Sequence, residues 1–132
     1  MVVMTQIDLS SYRDLYLKTA KEYLEKLNHN LKILSTEPTN PEAIEEAHLC
    51  AHSIGSQSLT MQYTTTGNLA RVMEHYLSQV KDKTSQLNQE SLDALQEASQ
   101  KLAESISSIE TSNSELDLNP ETDKIKQKLN IN

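Results

Sequence analysis

Apolar residues recur at steps of three and four along most of the chain, which is the spacing of one face of an α-helix. Five segments show this spacing, and polar stretches separate them. Their apolar faces consist of Tyr12, Tyr16, Ala20, Tyr23, Leu27, Leu31 and Leu34, then Ile44, Ala47, Ala51, Ile54 and Ser58, then Leu69, Val72, Met73, Tyr76 and Val80, then Leu92, Leu95, Ala98, Leu102, Ile106 and Ile109, and finally Ile125 and Leu129. No segment alternates with a period of two over the length of a strand. The pattern therefore predicts an all-α protein.

Residues that favour helix ends divide these segments from one another. The predicted starts are Ser10 or Ser11, Asn40-Pro41-Glu42, the run Thr64-Thr65-Thr66, Asn88 or Ser91, and Asn119-Pro120-Glu121. Short polar side chains accept hydrogen bonds from the unpaired N–H groups of a first helical turn, and proline is tolerated there. Four long helices with short connections predict an up-down-up-down four-helix bundle over residues 1–110. A linker over 111–118 and a short C-terminal helix over 119–132 complete the expected organisation.

The composition narrows the class of partner and the compartment. The chain has 132 residues, which suits one domain, and its 19 acidic and 12 basic residues give a net charge of −7. This acidity disfavours nucleic acid and anionic membranes as partners. Cys50 is the only cysteine, which excludes a disulfide framework, and no apolar run has the roughly 20 residues of a membrane span. We therefore expect a cytoplasmic protein that contacts neither nucleic acid nor membrane.

The second segment carries the candidate chemistry, which centres on His52. This residue lies beside the apolar face of its helix, so we expect its imidazole to be partly exposed. If the second and third helices form an antiparallel hairpin, His52 and Glu74 lie at the same height, because both are equally distant from residue 63 in the turn. A carboxylate that accepts the Nδ1–H of an imidazole leaves Nε2 as a nucleophilic lone pair. This is the arrangement that a phosphoryl-accepting histidine needs. The alternatives for His52 are a proton carrier, a ligand or an incidental surface histidine, and the alternative for Glu74 is a solvated acid paired with Arg71.

Three stretches of the sequence together resemble one protein family. They are Ile7-Asp8-Leu9-Ser10-Ser11-Tyr12-Arg13-Asp14-Leu15-Tyr16, then Ala51-His52-Ser53-Ile54 with Ser58-Leu59-Thr60-Met61, and finally Leu69, Met73-Glu74 and Leu77. Over residues 7 to about 110, the chain is similar to histidine phosphotransfer (HPt) domains. It most resembles the N-terminal domain of CheA-type chemotaxis kinases.

The resemblance implies a place for this domain in a phosphorelay. His52 would be the phosphorylated histidine, and Glu74 the hydrogen-bond acceptor that orients it. The ATP-binding domain of a histidine kinase would donate the phosphoryl group. The aspartate of a response-regulator receiver domain, with its own Mg²⁺, would then take it. The domain itself is expected to bind no ATP, no other cofactor and no metal, and to have no self-contained catalytic activity.

The sequence departs from the family where a lysine and then a glycine usually follow the histidine. Gly55 and Ser56 occupy those positions, and Arg71 stands where the family often has a histidine. A guanidinium binds phosphate bidentately, so Arg71 is a candidate replacement for the charge of the lysine. The alternative role for Arg71 is a surface ion pair with Glu74, worth under ~1 kcal/mol. These departures keep a second function open, namely a degenerate HPt-like bundle that docks signalling partners without carrying phosphate.

Other residues near the candidate phosphoacceptor suggest further roles. Leu49 and Ile54 flank it and could supply apolar contact to a partner helix. His48 precedes it by four residues, with Glu45 one turn earlier, and this spacing could hold zinc. We expect no metal site, because two helical histidines rarely suffice without a third ligand. Cys50 points to another face and is expected to be a small, semi-buried apolar residue rather than a nucleophile.

Overall fold

The computed structural model describes residues 2–131, and the side chains of residues 11–131. Its helices are α1 (Val2–Thr36), α2 (Pro41–Thr60), α3 (Thr64–Lys81), α4 (Gln89–Ser112) and α5 (Asn119–Lys128). Residues 2–131 contain no strand. Helix α1 packs against α2 and α4, α2 against α3, and α3 against α4, while α5 packs on α3 and α4. The predicted all-α fold, an up-down-up-down four-helix bundle with a short additional helix, is confirmed.

The core of the bundle is built from the apolar faces that the sequence pattern identified. Every predicted face position is buried except Tyr12, which is 57% exposed, and Tyr23, which is half-buried. The prediction for Tyr12 is wrong because the bundle ends there. The Arg13 side chain donates hydrogen bonds to the carbonyls of Ile109 and Glu110 near the end of α4, at 2.8 and 3.2 Å. Helix α4 therefore no longer covers α1 at Tyr12. Over the described residues, no helix is both long and apolar enough to cross a membrane.

Two of the predicted helix starts are made by the side chains expected there. The Asn40 side chain accepts a hydrogen bond from the N–H of Ala43 at 3.0 Å, and Pro41 is the first residue of α2. Asn88 and Ser91 cap α4 reciprocally. The Asn88 side chain accepts from the Ser91 N–H at 2.8 Å, and the Ser91 hydroxyl accepts from the Asn88 N–H at 2.9 Å. These caps satisfy N–H groups that the helix leaves unpaired, so both junctions are determined by local sequence.

The predicted start of α1 is wrong, whereas α5 begins where expected but without the expected Asn119 cap. Helix α1 begins well before Ser10 and Ser11, which lie inside it, because no glycine or proline in the preceding residues interrupts the helix. Helix α5 has Leu118 at its cap position, without a side-chain hydrogen bond, and Asn119 as its first residue. The N–H of Asn119 donates to the Asp117 carboxylate at 3.1 Å, so an acid two residues earlier supplies the acceptor.

The start of α3 is also wrong in detail, because a distant part of the chain caps it. The predicted threonine cap lies inside the first turn of the helix instead of before it. The N–H groups of Thr65 and Thr66 donate to the Glu115 carboxylate at 3.3 and 2.9 Å, and their hydroxyls donate to the same carboxylate at 3.1 and 2.7 Å. Glu115 lies between α4 and α5, within the predicted linker over 111–118. The division of the chain into a bundle, a linker and a terminal helix stays a prediction.

Replacing Glu115 by alanine is expected to lower the free energy of unfolding by about 1–2 kcal/mol, the usual cost of losing a helix cap. Urea denaturation followed by circular dichroism measures this change. Glu25→Ala is a suitable control, because it removes an exposed carboxylate from the middle of α1. That control should change the stability by less than about 0.5 kcal/mol. Equal stabilities for the two variants would show that the Glu115 hydrogen bonds contribute nothing.

Helix α5 is docked on the bundle by apolar contact and by charge. Ile125 and Leu129 are buried. On α4, the Glu97 carboxylate accepts hydrogen bonds from Lys128 at 2.9 Å and from Lys124 at 3.3 Å. The Lys128 hydrogen bond is the main reason why the pKa of Glu97 lies below its usual range. Helix α5 also packs against α3, the helix that carries Glu74.

Candidate functional site

The site predicted around His52 lies on the flank of the α2–α3 hairpin. The imidazole is 52% exposed, because His52 follows Ala51 at the edge of the buried face of α2. Its Nδ1 lies 2.8 Å from Oε2 of Glu74 on α3, and the Glu74 side chain is only 21% exposed. The predicted contact between these two residues is therefore confirmed, whereas their chemical roles stay a prediction.

A tight turn sets the relative height of α2 and α3. Gln62 takes a left-handed backbone conformation with a φ of 68°, and the Tyr63 N–H donates to the Ser58 carbonyl at 2.8 Å. Near the turn the helices approach closely, since a Cβ on Gly67 would lie 2.6 Å from Cγ of Leu59. With so short a reversal, residues equally distant from the turn face each other across the hairpin. This geometry is what brings the histidine and the glutamate together.

The hydrogen bond assigns the tautomer of the His52 imidazole. An ionised carboxylate can only accept hydrogen bonds, so Nδ1 carries the proton in the neutral ring and Nε2 keeps its lone pair. The Glu74 charge also favours any positive charge that develops on the ring when Nε2 forms a new bond. The arrangement therefore provides an exposed nitrogen nucleophile, held in one tautomer and one orientation by two packed helices.

Arg71 lies beside this pair, one turn before Glu74 on α3. Its Nε is 4.0 Å from Oε1 of Glu74, and its side chain is 54% exposed. The Glu74 carboxylate thus has the imidazole at one oxygen and the guanidinium near the other. The predicted ion pair between Arg71 and Glu74 is present, at the longest N–O distance that counts as a salt bridge. An exposed pair of this kind contributes under ~1 kcal/mol to stability. Because both side chains contact the same carboxylate, the Arg71 guanidinium is a candidate for contact with a group bound to His52.

The structure corrects one of the expectations for the neighbouring residues. Leu49 is 55% exposed and is available to a partner, but Ile54 is fully buried in the core and cannot make such a contact. Ile54 belongs to the apolar face of α2, and that face is turned inward. Cys50 is also buried, and burial together with the nearby Glu46 charge raises the pKa of its thiol to about 11. Cys50 thus packs as an apolar core residue, fully buried rather than semi-buried as expected, and a raised pKa disfavours the reactive thiolate.

The possible zinc ligands do not come together into a metal site. Glu45 pairs with Lys81 of α3, whose Nζ lies 3.2 Å from the carboxylate. Among the side chains of residues 11–131, no group of three or more histidine, cysteine, aspartate or glutamate residues is placed to hold a metal ion. His48 and His52 thus lack the third ligand that such a site would need.

Sequence reasoning missed an apolar groove between α1 and α2. Tyr12 and Leu15 of α1, both more than half exposed, line it together with Thr60 of α2 and Met61, which follows that helix. The available signal was the position of Leu15, an apolar residue that lies off the predicted buried face of its helix. The groove continues along the surface of α2 from Ser56, one turn after His52.

The fold and the site together define a helical domain that presents one oriented, exposed histidine. A model of the Hpt domain family matches residues 11–117 of the chain. The chain therefore belongs to the Hpt domain family.

Two relatives are chemotaxis proteins. The chain is 28% identical over 103 residues to chemotaxis protein CheA of Bacillus subtilis, which covers 78% of this chain and 15% of that protein. It is 35% identical over 69 residues to chemotaxis protein CheA of Listeria monocytogenes, which covers 52% of this chain and 11% of that protein. The chain thus spans only a small part of the length of these relatives.

Two solved structures have the same fold. A solution structure of the histidine phosphotransfer domain of CheA aligns with a TM-score of 0.80 and 22% identity, covering 89% of this chain and 90% of that one. The crystal structure of the phosphorylated P1 domain of CheA3 in complex with CheY6 from R. sphaeroides aligns with a TM-score of 0.81 and 16% identity, covering 89% of this chain and 94% of that one. At these identities the likeness establishes the fold of the bundle.

Proposed function

We propose that this domain is a phosphocarrier, in which His52 accepts a phosphoryl group and passes it to the aspartate of a response-regulator receiver domain. The donor is ATP held by the ATP-binding domain of a histidine kinase. The observation that carries the proposal is the 2.8 Å contact between His52 Nδ1 and the Glu74 carboxylate, on an exposed flank of an Hpt-family bundle. In this scheme the kinase and receiver domains act in the cytoplasm.

The proposed transfer starts from the His52 tautomer that Glu74 stabilises, with the proton on Nδ1 and the lone pair on Nε2. The Nε2 lone pair attacks the γ-phosphorus of ATP, and ADP leaves with the electron pair of the broken O–P bond. The proton stays on Nδ1, so the ring becomes cationic and the Glu74 carboxylate compensates that charge. In the second step an aspartate oxygen of the receiver attacks the phosphorus, and the N–P electron pair returns to Nε2. We place ATP on the kinase domain and Mg²⁺ on the receiver, with neither bound by this domain.

The surface around His52 supports docking of a receiver domain. Leu49 is exposed one turn before the histidine, and the apolar groove lined by Tyr12, Leu15 and Met61 lies on its other side along α2. Apolar contacts on both sides of the nucleophile can hold a partner while leaving Nε2 open. The relative whose structure includes CheY6 is a phosphorylated P1 domain, which is the same pairing of carrier and partner that we propose here.

Labelling with a histidine kinase tests the proposal. The chain is incubated with a CheA-type kinase domain and ATP, and its intact mass is then measured before and after mild acid treatment. We expect the addition of one acid-labile phosphoryl group, and no addition to His52→Gln, which retains the fold because the imidazole is exposed. A phosphoryl group that survives acid, or one that also labels His52→Gln, would contradict the proposal.

A second candidate function is a docking module that carries no phosphate. It is favoured by Gly55 and Ser56, which stand where most of the family has a lysine and a glycine. The same labelling experiment separates the two functions if receiver binding is measured beside it. Wild-type protein that stays unlabelled by an active kinase, and yet binds a receiver domain, would establish the docking module in place of the carrier.

Replacing Arg71 by alanine is expected to slow labelling of His52 by about three- to tenfold, the effect of one exposed charge-assisted contact. The physical reason is that the guanidinium lies beside Glu74 and can neutralise the oxygens of the incoming phosphoryl group. Initial rates of labelling at limiting kinase concentration measure the effect. Arg71→Lys should recover part of the rate, because it restores the charge without the bidentate geometry. An unchanged labelling rate in Arg71→Ala would show that Arg71 only forms a surface ion pair with Glu74.

A further inference from the structure

Gly55 and Arg71 form a second pair across the α2–α3 hairpin, directly beside the first. Both are equally distant from residue 63 in the turn, as are His52 and Glu74, so the two pairs occupy successive levels of the same hairpin. Gly55 is buried although it lies only three residues from a half-exposed histidine. The side chain that covers it comes from the facing helix.

The geometry around Gly55 shows what a side chain there would displace. A Cβ at this position would lie 3.5 Å from each of three atoms, namely Cβ of Ala70, the carbonyl oxygen of Gly67, and Cγ of Arg71. The first two belong to buried parts of α3 that cannot move aside. Arg71 alone has a long and exposed side chain. Of these three neighbours, the Arg71 stem is therefore the one that a side chain longer than a methyl group at position 55 would displace.

The position of the guanidinium follows from the path of this stem. From its contact over Gly55, the Arg71 side chain reaches along the hairpin until its Nε lies 4.0 Å from Oε1 of Glu74. Glu74 is the residue whose other oxygen meets His52. A phosphoryl dianion on His52 would lie close to this carboxylate and be repelled by it, so a cation at the same level reduces the electrostatic cost of the phosphorylated state.

We infer that Gly55 is a positioning residue, whose small size leaves room for the Arg71 stem, so that Arg71 holds its guanidinium beside Glu74 at the level of His52 on the hairpin. The inference rests on the proposed phosphocarrier function and goes beyond it. It states that either position can supply the cation when the other carries a small residue. This chain has glycine at 55 and arginine at 71, and a lysine at 55 would require a small residue at 71. A lysine at 55 lies on the same helix as His52, one turn away, and can reach the same phosphoryl oxygens.

Four variants test the exchange. Gly55→Met places an uncharged side chain under Arg71 and should slow labelling of His52 by about three- to tenfold, as does Arg71→Ala. Adding Gly55→Met to Arg71→Ala should cause no further loss, because the cation is already gone. Adding Gly55→Lys to Arg71→Ala should restore the rate to within about twofold of the wild type. The two double variants are a matched pair, since methionine and lysine have similar length and helix propensity and differ in charge.

The outcomes separate the inference from the function on which it rests. Removing Arg71 opens the space above position 55, so both double variants should have similar unfolding midpoints and give a comparison at equal stability. If the wild type is labelled and the lysine double variant is no faster than the methionine one, the inference is wrong and the carrier function stands. Labelling of Gly55→Met at the wild-type rate, with Arg71→Ala slow, also overturns it. If the wild type itself takes no label, the proposed function fails, and the inference fails with it.

Discussion

Replacing Glu74 by alanine is expected to slow phosphorylation of His52 by about 10- to 100-fold while leaving the bundle folded. The reason is the 2.8 Å hydrogen bond to Nδ1. Without it the proton can occupy Nε2, the ring can rotate, and no carboxylate compensates the charge that develops during attack. Rates of labelling by a kinase domain measure this loss, and thermal unfolding checks the fold. Glu74 contributes little to stability, because its partners His52 and Arg71 have exposed side chains and their contacts with it lie at the surface of the bundle.

One further variant separates the charge of Glu74 from its ability to accept a hydrogen bond, and a second serves as a control. Glu74→Gln keeps an oxygen that can accept the Nδ1–H but has no charge, so its labelling rate should fall between those of the wild type and Glu74→Ala. Glu25→Ala removes an exposed acid from α1 and should leave the rate unchanged. A wild-type rate in Glu74→Ala would mean that the His52–Glu74 contact is incidental, and the proposed mechanism would be wrong.

Replacing Gly67 by alanine is expected to destabilise the bundle by about 1–3 kcal/mol, the usual cost of overpacking a core. The added Cβ would lie 2.6 Å from Cγ and 2.7 Å from Cδ2 of Leu59, and 3.2 Å from its backbone nitrogen. The Leu59 side chain would have to rotate. Because the Leu59 backbone nitrogen cannot move in the same way, α3 would also have to shift away from α2. Because this contact lies near the turn, a shift there also disturbs the facing of His52 and Glu74.

Gly55→Ala is the matched control for this prediction. Its Cβ would meet three atoms at 3.5 Å, which is ordinary van der Waals contact. Alanine also favours a helix over glycine by up to ~1 kcal/mol, so this variant should be as stable as the wild type or more so. Chemical denaturation of both variants measures the difference. If Gly67→Ala unfolds at the same denaturant concentration as Gly55→Ala, the close approach of α2 and α3 is not a constraint on the fold.

The architecture and the central contact could be predicted because both depend on local patterns. The helical spacing of apolar residues and the capping residues Asn40 and Asn88 determine where α2 and α4 begin. A short turn between two helices determines which residues face each other. The contact between His52 and Glu74 therefore follows from counting along the chain, with no knowledge of the packing of the other helices.

Features that depend on distant residues or on the interhelical distance could not be predicted. The cap of α3 is the Glu115 carboxylate, which lies some fifty positions along the chain from Thr65 and carries no signal of this pairing. Tyr12 fits the helical period, and only the end of α4 shows that nothing covers it. The relation between Gly55 and Arg71 depends on how closely two helices approach, a quantity that the spacing of residues leaves open.

The most direct test of the account is to identify the phosphorylated atom by phosphorus and nitrogen NMR of the labelled protein. Nδ1 of His52 is occupied by its hydrogen bond to Glu74, so the account predicts one phosphoryl group, bonded to Nε2 of His52. The coupling between the phosphorus and that ring nitrogen identifies the atom. Three other histidines, His29, His48 and His75, serve as internal controls in the same spectrum and should remain unmodified. A phosphoryl group on Nδ1 of His52, or on any other histidine, would contradict the account.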